Sequence, residues 1–351
     1  MPADMTLEQS LARLIALQGP VSLTLWMGQA NAHYYGSRDP LGADGDFTTA
    51  PEVSQMFGEM VGIWLADVWS RAGSPVDAAY VELGPGRGTL ARDALRVMRR
   101  FGWAGSVHFV ETSPTMRAAQ ARAEPGAQWH DDLGSLPEDR PLLIVANEFL
   151  DALPVRQIVK TPQGWRERMV GLQDDRFVPM AGTMPLDLAV PEAFREADAQ
   201  TIVEVSPAAS AVMGELARML AAQGGAGLVV DYGYTAPRTG STLQALKGHA
   251  AADPFATPGE ADLTTLVDFS AAMAAAQAAG AQVAGPVGQG AFLGALGIAQ
   301  RAGALAKASP ERSGEIAGAL ERLVSPDQMG TLFMVLGLAG KGWPPGAGFA
   351  A

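Results

Sequence analysis

From residue 78 onward the chain alternates short apolar runs with longer amphipathic ones. That alternation predicts a parallel sheet joined by crossover helices, an α/β fold. Strands are expected at 78–83, 106–111, 127–130 and 142–146, with helices over 88–101 and from Pro114 between them. The rhythm breaks after 153. Residues 154–171 read as a β-hairpin turning at Pro162-Gln163-Gly164, and 172–200, rich in Pro, Gly and charge, as an insertion. It resumes with strand 201–205, a helix after Pro207, strand 226–231, a Gly/Pro/Thr-rich loop over 233–262, helix 263–279, a strand near 281–285 and helices from Gly290.

The first 75 residues read as helical. Thr6 and Gln9 fit a capping box for a helix over 6–18, which Gly19-Pro20 ends, and a second helix follows Ser22. Residues 34–49 read as an aromatic, Gly- and Asp-rich loop. Thr49 and Glu52 fit a second capping box, after which Val53, Met56, Phe57, Met60, Trp64 and Val68 share one helical face until Gly73. The expected organisation is an N-terminal helical segment with a lid (1–75), a first core part (76–153), hairpin and insertion (154–200), the remaining core (201–340) and a frayed tail (341–351).

Composition narrows the function classes. The 351 residues are 48% hydrophobic, enough for a sizeable core, and carry a net charge of −12 with pI near 4.8. An acidic chain without Lys/Arg runs argues against a nucleic-acid partner. There is no cysteine, so neither disulfides nor thiolate chemistry. Four scattered histidines show no ligand spacing, so no metal is expected. Charges interrupt the N-terminal apolar positions, and no run reaches the roughly 20 apolar residues of a span. On these grounds the chain is expected to be cytoplasmic and not membrane-embedded.

The candidate chemistry sits at the strand ends. Glu82 closes the first strand, and Gly84-Pro85-Gly86-Arg87-Gly88-Thr89-Leu90 follows. Three glycines at alternate positions let backbone approach a ligand. A dinucleotide fingerprint would need glycine at Thr89, and a phosphate loop would need Gly-Lys-Ser/Thr. The loop resembles that of class I S-adenosyl-L-methionine-dependent methyltransferases. Such a fold implies Glu82 and Gly84, Pro85, Gly86, Gly88, Thr89 and Leu90 under the cofactor. It implies Glu111 on its ribose hydroxyls with Ser113 beside it, and Asp131 and Asp132 near its adenine. The fourth strand ends in Asn147-Glu148-Phe149-Leu150-Asp151. Glu148 and Asp151 could hold a cationic nucleophile and take its proton, with Asn147 beside them. Equally, Glu148 could cap a helix while Asp151 orders the turn.

Longer motifs carry a narrower resemblance. They include Gly45 through Gln55, Glu82 through Leu90, Glu111-Thr112-Ser113-Pro114, Asn147 through Gln157, Asp231-Tyr232-Gly233-Tyr234 and Pro258 through Thr264. With these the chain resembles the MidA-type methyltransferases, bacterial relatives of the mitochondrial complex I assembly-factor methyltransferase. The resemblance implies a class I, Rossmann-like core with an inserted substrate-side region, and S-adenosyl-L-methionine as cofactor. It implies a protein substrate bearing an arginine, on a quinone-side subunit of complex I. Thr49, Pro51 and Gln55 would join the cofactor site, their loop closing as a lid. A small-molecule methyltransferase and a non-catalytic cofactor-binding assembly chaperone remain alternatives.

Overall fold

The computed structural model describes residues 5–37 and 48–349. Helix α1 (Leu7–Gln18) starts at the expected capping box, where Thr6 and Gln9 exchange hydrogen bonds. A short strand β1 (Val21–Ser22) leads into helix α2 (Leu23–Ser37). Tyr34 and Tyr35 therefore lie on a helix rather than in a loop, and most of the expected lid, 38–47 with Asp46 and Phe47, falls outside the described residues. The next helix is split. Ser54 is extended, dividing α3 (Ala50–Val53) from α4 (Gln55–Arg71), and its hydroxyl caps α4. The second capping box is not formed: Thr49 makes no side-chain cap, and Glu52 instead accepts from the Thr89 hydroxyl at 2.5 Å.

The core follows: β2 (Ala79–Leu83), α5 (Thr89–Arg100), β3 (Val107–Val110), α6 (Pro114–Ala123), β4 (Gln128–His130) and β5 (Leu142–Asn147). Then come β6 (Arg156–Thr161), β7 (Gly164–Gln173), β8 (Arg176–Pro185), β9 (Ile202–Val205), α7 (Pro207–Gln223) and β10 (Gly225–Tyr234). The last third holds β11 (Gln244–Lys247), β12 (Ala250–Ala251), β13 (Asp262–Thr264), β14 (Val267–Asp268), α8 (Phe269–Ala278), β15 (Gln282–Gly288), α9 to α12 (Gln289–Ala295, Ile298–Ala308, Ser313–Val324, Met329–Leu332) and β16 (Phe333–Ala339).

The main sheet has the order β15-β16-β10-β5-β2-β3-β4, with β14 beside β10. Strands β10, β5, β2, β3 and β4 are parallel neighbours, whereas β16 is antiparallel to both β10 and β15. Strand order reverses beside β2, which pairs with β5 on one side and β3 on the other. Their carboxyl ends there open the crevice where α/β sheets bind ligands. One face packs against α4, α5 and the C-terminal helices through Phe57, Trp64 and Leu95, the other against α7 and α8 through Met213, Leu216 and Phe269.

Four expectations are corrected. Strand β9 pairs with β6 in a separate sheet, β1-β7-β6-β9 with β8 on β7, so the inserted region continues beyond 200. Residues 263–268, expected to start a helix, instead hold the end of β13 and all of β14, because β13 pairs with β11 and Asp268 caps α8. The apolar run β16 is an internal strand of the main sheet that follows the C-terminal helices. The tail is not frayed over its described residues, 341–349: Trp64 donates to the Ala347 carbonyl, Arg71 to that of Pro345, and Phe349 packs on Phe292.

Candidate functional site

A cavity of about 750 Å³ occupies the crevice at the strand ends. Its first wall is the glycine loop between β2 and α5. Gly84, Gly86 and Gly88 all sit at positive φ, a region L-residues avoid. A Cβ on Gly88 would lie 2.9 Å from Ala123 Cβ, and one on Gly84 3.0 Å from the Phe149 ring. Gly84, Pro85, Gly86, Thr89 and Leu90 line the cavity, while Gly88 stands behind it as the left-handed N-cap of α5.

Glu82 and Glu111 stand on either side of the loop. Burial pushes the Glu82 carboxyl up to about 8, against the Tyr80 hydroxyl that donates to its Oε2 at 2.6 Å. Burial also raises Glu111, opposed by donors from Ser113 N at 2.8 Å and Gln120 Nε2 at 3.1 Å. Gln120 was not foreseen. Its amide also donates to Gly86 O at 2.8 Å and accepts from Trp129 Nε1, binding β3, β4 and the glycine loop into one unit. Ser113 caps α6 and acts through Glu111, outside the cavity lining.

The predicted adenine-side pair separates. Asp131 lines the cavity and meets Arg117 at 2.6 Å, but Asp132 turns away to cap a 3₁₀ turn through Ser135 N. Thr49 and Pro51 line the cavity with Thr48 and Glu52. Gln55 does not. With the chain broken at Ser54, Gln55 begins α4 and its amide runs along that helix to Glu59 at 3.4 Å.

The second wall forms where β5 ends. Glu148 adopts φ +51, an uncommon conformation for a non-glycine residue and one that clusters at functional sites. Its Oε1 accepts from Ala50 N and from Asn147 Nδ2, each at 3.1 Å. It thus caps a helix, but the distant α3 rather than its own. Burial pushes it up to about 8; the Ala50 donor opposes the shift, while Asp151, Asn147 and Asp262 contribute smaller effects. The turn is ordered by Asp231, which accepts from Leu150 N at 2.9 Å and Asp151 N at 3.2 Å. The Asp151 carboxyl itself accepts from the Tyr232 hydroxyl and from backbone N–H of the same turn. It is 5% exposed, burial raises it, and its Oδ1 has no hydrogen-bond partner. Asn147 Oδ1 is likewise buried without one.

Sequence reasoning missed the rest of this wall. Tyr232, Asn31, Tyr35, Asp262 and Thr264 join it from β10, α2 and β13. Asp262 and Tyr232 stood inside the quoted motifs, but nothing local showed that β13 folds back to the end of β5. Among the described residues seven acids line the cavity (Glu52, Glu82, Glu111, Asp131, Glu148, Asp151 and Asp262) against one basic side chain, Arg87.

A family model described as an S-adenosyl-L-methionine-dependent methyltransferase matches residues 60–287. The chain belongs to the MidA-type family of S-adenosyl-L-methionine-dependent methyltransferases. It is 36% identical to the Drosophila melanogaster protein arginine methyltransferase NDUFAF7 homolog, mitochondrial, over 95% of this chain and 84% of that one. The human protein arginine methyltransferase NDUFAF7, mitochondrial, is 35% identical over 95% and 83%. A crystal structure of a superfamily member from Burkholderia thailandensis bound to S-adenosyl-homocysteine superposes with a TM-score of 0.84 at 28% identity, over 96% and 92% of the chains.

S-adenosyl-L-methionine is thus the family's cofactor, and this chain's residues fit it: the glycine cradle leaves no room for side chains, and two carboxylates flank it. The cytoplasmic expectation is overturned, because the curated relatives are named as mitochondrial. A globular core carries no compartment signal, so interrupted apolar positions near residue 1 never bore on location. Among the described residues no helix is long and apolar enough to cross a membrane.

Proposed function

We propose that this methyltransferase modifies arginine side chains of a protein. The observation that carries the reading is the pair of buried, unpartnered acceptors, Asn147 Oδ1 and Asp151 Oδ1, in a cavity dominated by carboxylates. A guanidinium is always charged and presents five N–H donors in a planar fork, which matches that demand. The bound cofactor supplies an electrophilic methyl group on sulfonium. Glu82, the glycine loop and Glu111 hold the cofactor side; Asn147, Glu148 and Asp151 orient the accepting nitrogen, the main service in an in-line displacement. Asp151 takes the proton that the nitrogen loses, because its carboxyl is poised above the ordinary range and its Oδ1 is free to accept. Glu148 links the two halves: its bond to Ala50 N draws α3, with Thr49 and Pro51, over the cavity as the described part of a lid.

The names of the relatives support a protein-arginine target. The family resemblance makes a quinone-side subunit of respiratory complex I the first candidate. Labelled S-adenosyl-L-methionine incubated with a cell lysate tests the reading. Label on arginine of a protein band, mapped by mass spectrometry, is the expected result. Label confined to small molecules would replace the reading with a small-molecule transferase. Retained cofactor binding with no label would replace it with a non-catalytic chaperone.

A further inference from the structure

Two consecutive residues toward the end of β10 both reach Asp151. Asp231 takes the backbone: its Oδ2 accepts from Asp151 N at 3.2 Å and from Leu150 N at 2.9 Å. Tyr232 takes the side chain, donating its hydroxyl to the Asp151 carboxyl. Two consecutive residues at the end of β13 repeat the division. Thr265 N donates to Asp151 O at 3.0 Å, and the Thr264 hydroxyl donates to the Tyr232 oxygen.

The backbone of Asp151 is thus fixed without the tyrosine, so the phenolic hydroxyl acts on the carboxyl alone. Thr264 meets the Tyr232 oxygen as a donor, which leaves the single phenolic proton for Asp151. Burial, followed by the charge of Asp151, raises the phenol, so it stays a donor across the working range of pH. The ring is held independently of its hydroxyl: Tyr232 pairs with Phe333 across β10 and β16, and the two rings meet edge-on with centroids 5.4 Å apart. Tyr232, Thr264 and Asp151 all line the cavity, and Asp151 Oδ1 keeps no hydrogen-bond partner there. A carboxyl tethered on one side and open on the other presents one oxygen in a fixed direction.

We infer that Tyr232 is a positioning residue for methyl transfer: its hydroxyl, set by Thr264, tethers the Asp151 carboxyl so that Oδ1 faces the accepting nitrogen. The inference rests on the reading that Asp151 is the base. It adds that the base is aimed from β10 and β13, not from the strand that carries it. A donor to a carboxylate also favours its charged form. The acids that share the chamber, Glu148 at the end of β5, Asp231 on β10 and Asp262 on β13, disfavour that form, and the Tyr35 phenol of α2 faces the same group. The Tyr232 bond therefore works against its surroundings, and its loss should leave Asp151 harder to ionise.

Label transfer to the wild-type enzyme's acceptor, followed as a function of pH, tests it with S-adenosylhomocysteine calorimetry alongside. Tyr232→Phe keeps the ring and loses only the hydroxyl. Removing a donor raises the pKa of the carboxyl, so the acid limb of turnover is expected about one pH unit higher, with turnover at neutral pH about tenfold lower and recovering as pH rises. S-adenosylhomocysteine affinity is expected within twofold of wild type. Thr264→Val is expected to move the limb the same way by less, and the double variant no further than Tyr232→Phe alone, because Thr264 acts through Tyr232. An acid limb in its wild-type place would overturn the inference, whether turnover is kept or lost at every pH, as would a loss of S-adenosylhomocysteine affinity equal to the loss of turnover. Should Tyr232→Phe fail to fold, Thr264→Val decides by the same criteria. A wild type that labels no acceptor refutes the transfer reading and this inference together. Label on a small molecule, with the limb moved in Tyr232→Phe, refutes the arginine reading and supports the positioning role; labelled arginine with the limb unmoved refutes this inference alone.

Discussion

The two walls of the cavity are built in different ways. The glycine-loop wall comes from one run of chain, 82 to 90, braced by Glu111 and Gln120 some 20 to 40 positions on. Its polar groups are matched internally: each oxygen of Glu111 already holds a donor. The acidic wall is assembled from α2, the end of β5, β10 and β13, and it leaves Asn147 and Asp151 oxygens unmatched. A buried acceptor without a donor is costly, so it persists where a ligand completes it. The first wall is finished and the second unfinished. In the function proposed above, the first cradles the cofactor and the second selects the substrate.

The harshest test of the finished wall is Gly88→Val. It combines φ +80 with a Cβ 2.9 Å from Ala123, so S-adenosylhomocysteine affinity is expected to fall at least 100-fold, with a lower melting temperature. Wild-type affinity would show that the loop tolerates side chains and that the cradle is not needed. Glu111→Ala comes next. Losing charge-assisted bonds of about 1.5–3 kcal/mol each should lower cofactor affinity more than tenfold by calorimetry, and an unchanged value in a folded variant would remove Glu111 from the site.

The acidic wall should announce itself in pH dependence. Burial pushes Glu148 up to about 8, so the folded state holds a proton that the unfolded state releases above the ordinary range for a glutamate. Its contribution to stability is complete in acid and is lost as pH rises through about 8. The cofactor-free protein should therefore show that loss in thermal scans, and Glu148→Gln should reduce it. Acceptor turnover should move the opposite way, rising from pH 6 to 8.5 as the wall gains charge. A turnover flat across that range would contradict an anionic wall. The smallest effect is expected where the walls meet: Thr89→Val removes the 2.5 Å bond to Glu52 and should cost about 1 kcal/mol, a few-fold in cofactor affinity. No change would mean that α3 does not close over the loop.

The contrast between the walls also explains what the sequence disclosed. Strands β2, β3, β4 and β5 and the glycine loop were legible because their signals are local: apolar runs, alternate glycines and an acid at a strand end. Asp132 misled because a strand-end acid can cap the next turn as readily as face a ligand, and Gln55 because a single extended residue, Ser54, resets the helix. Strand β16 hid among helices, since an apolar run of its length fits either structure. Asp262, Tyr35 and Tyr232 could not be placed at all. Their meeting depends on β13 pairing with β11 and on Asn31 bridging Ala152 and Leu263, the latter contacts spanning more than a hundred positions.

The most direct test of the division between a cofactor wall and a substrate wall is Asp151→Asn, read by S-adenosylhomocysteine calorimetry and by label transfer to the wild-type acceptor. The account predicts cofactor affinity within threefold of wild type and transfer reduced at least 100-fold, about 2.7 kcal/mol of lost transition-state stabilisation. Affinity and transfer falling together, or transfer at the wild-type rate, would contradict it.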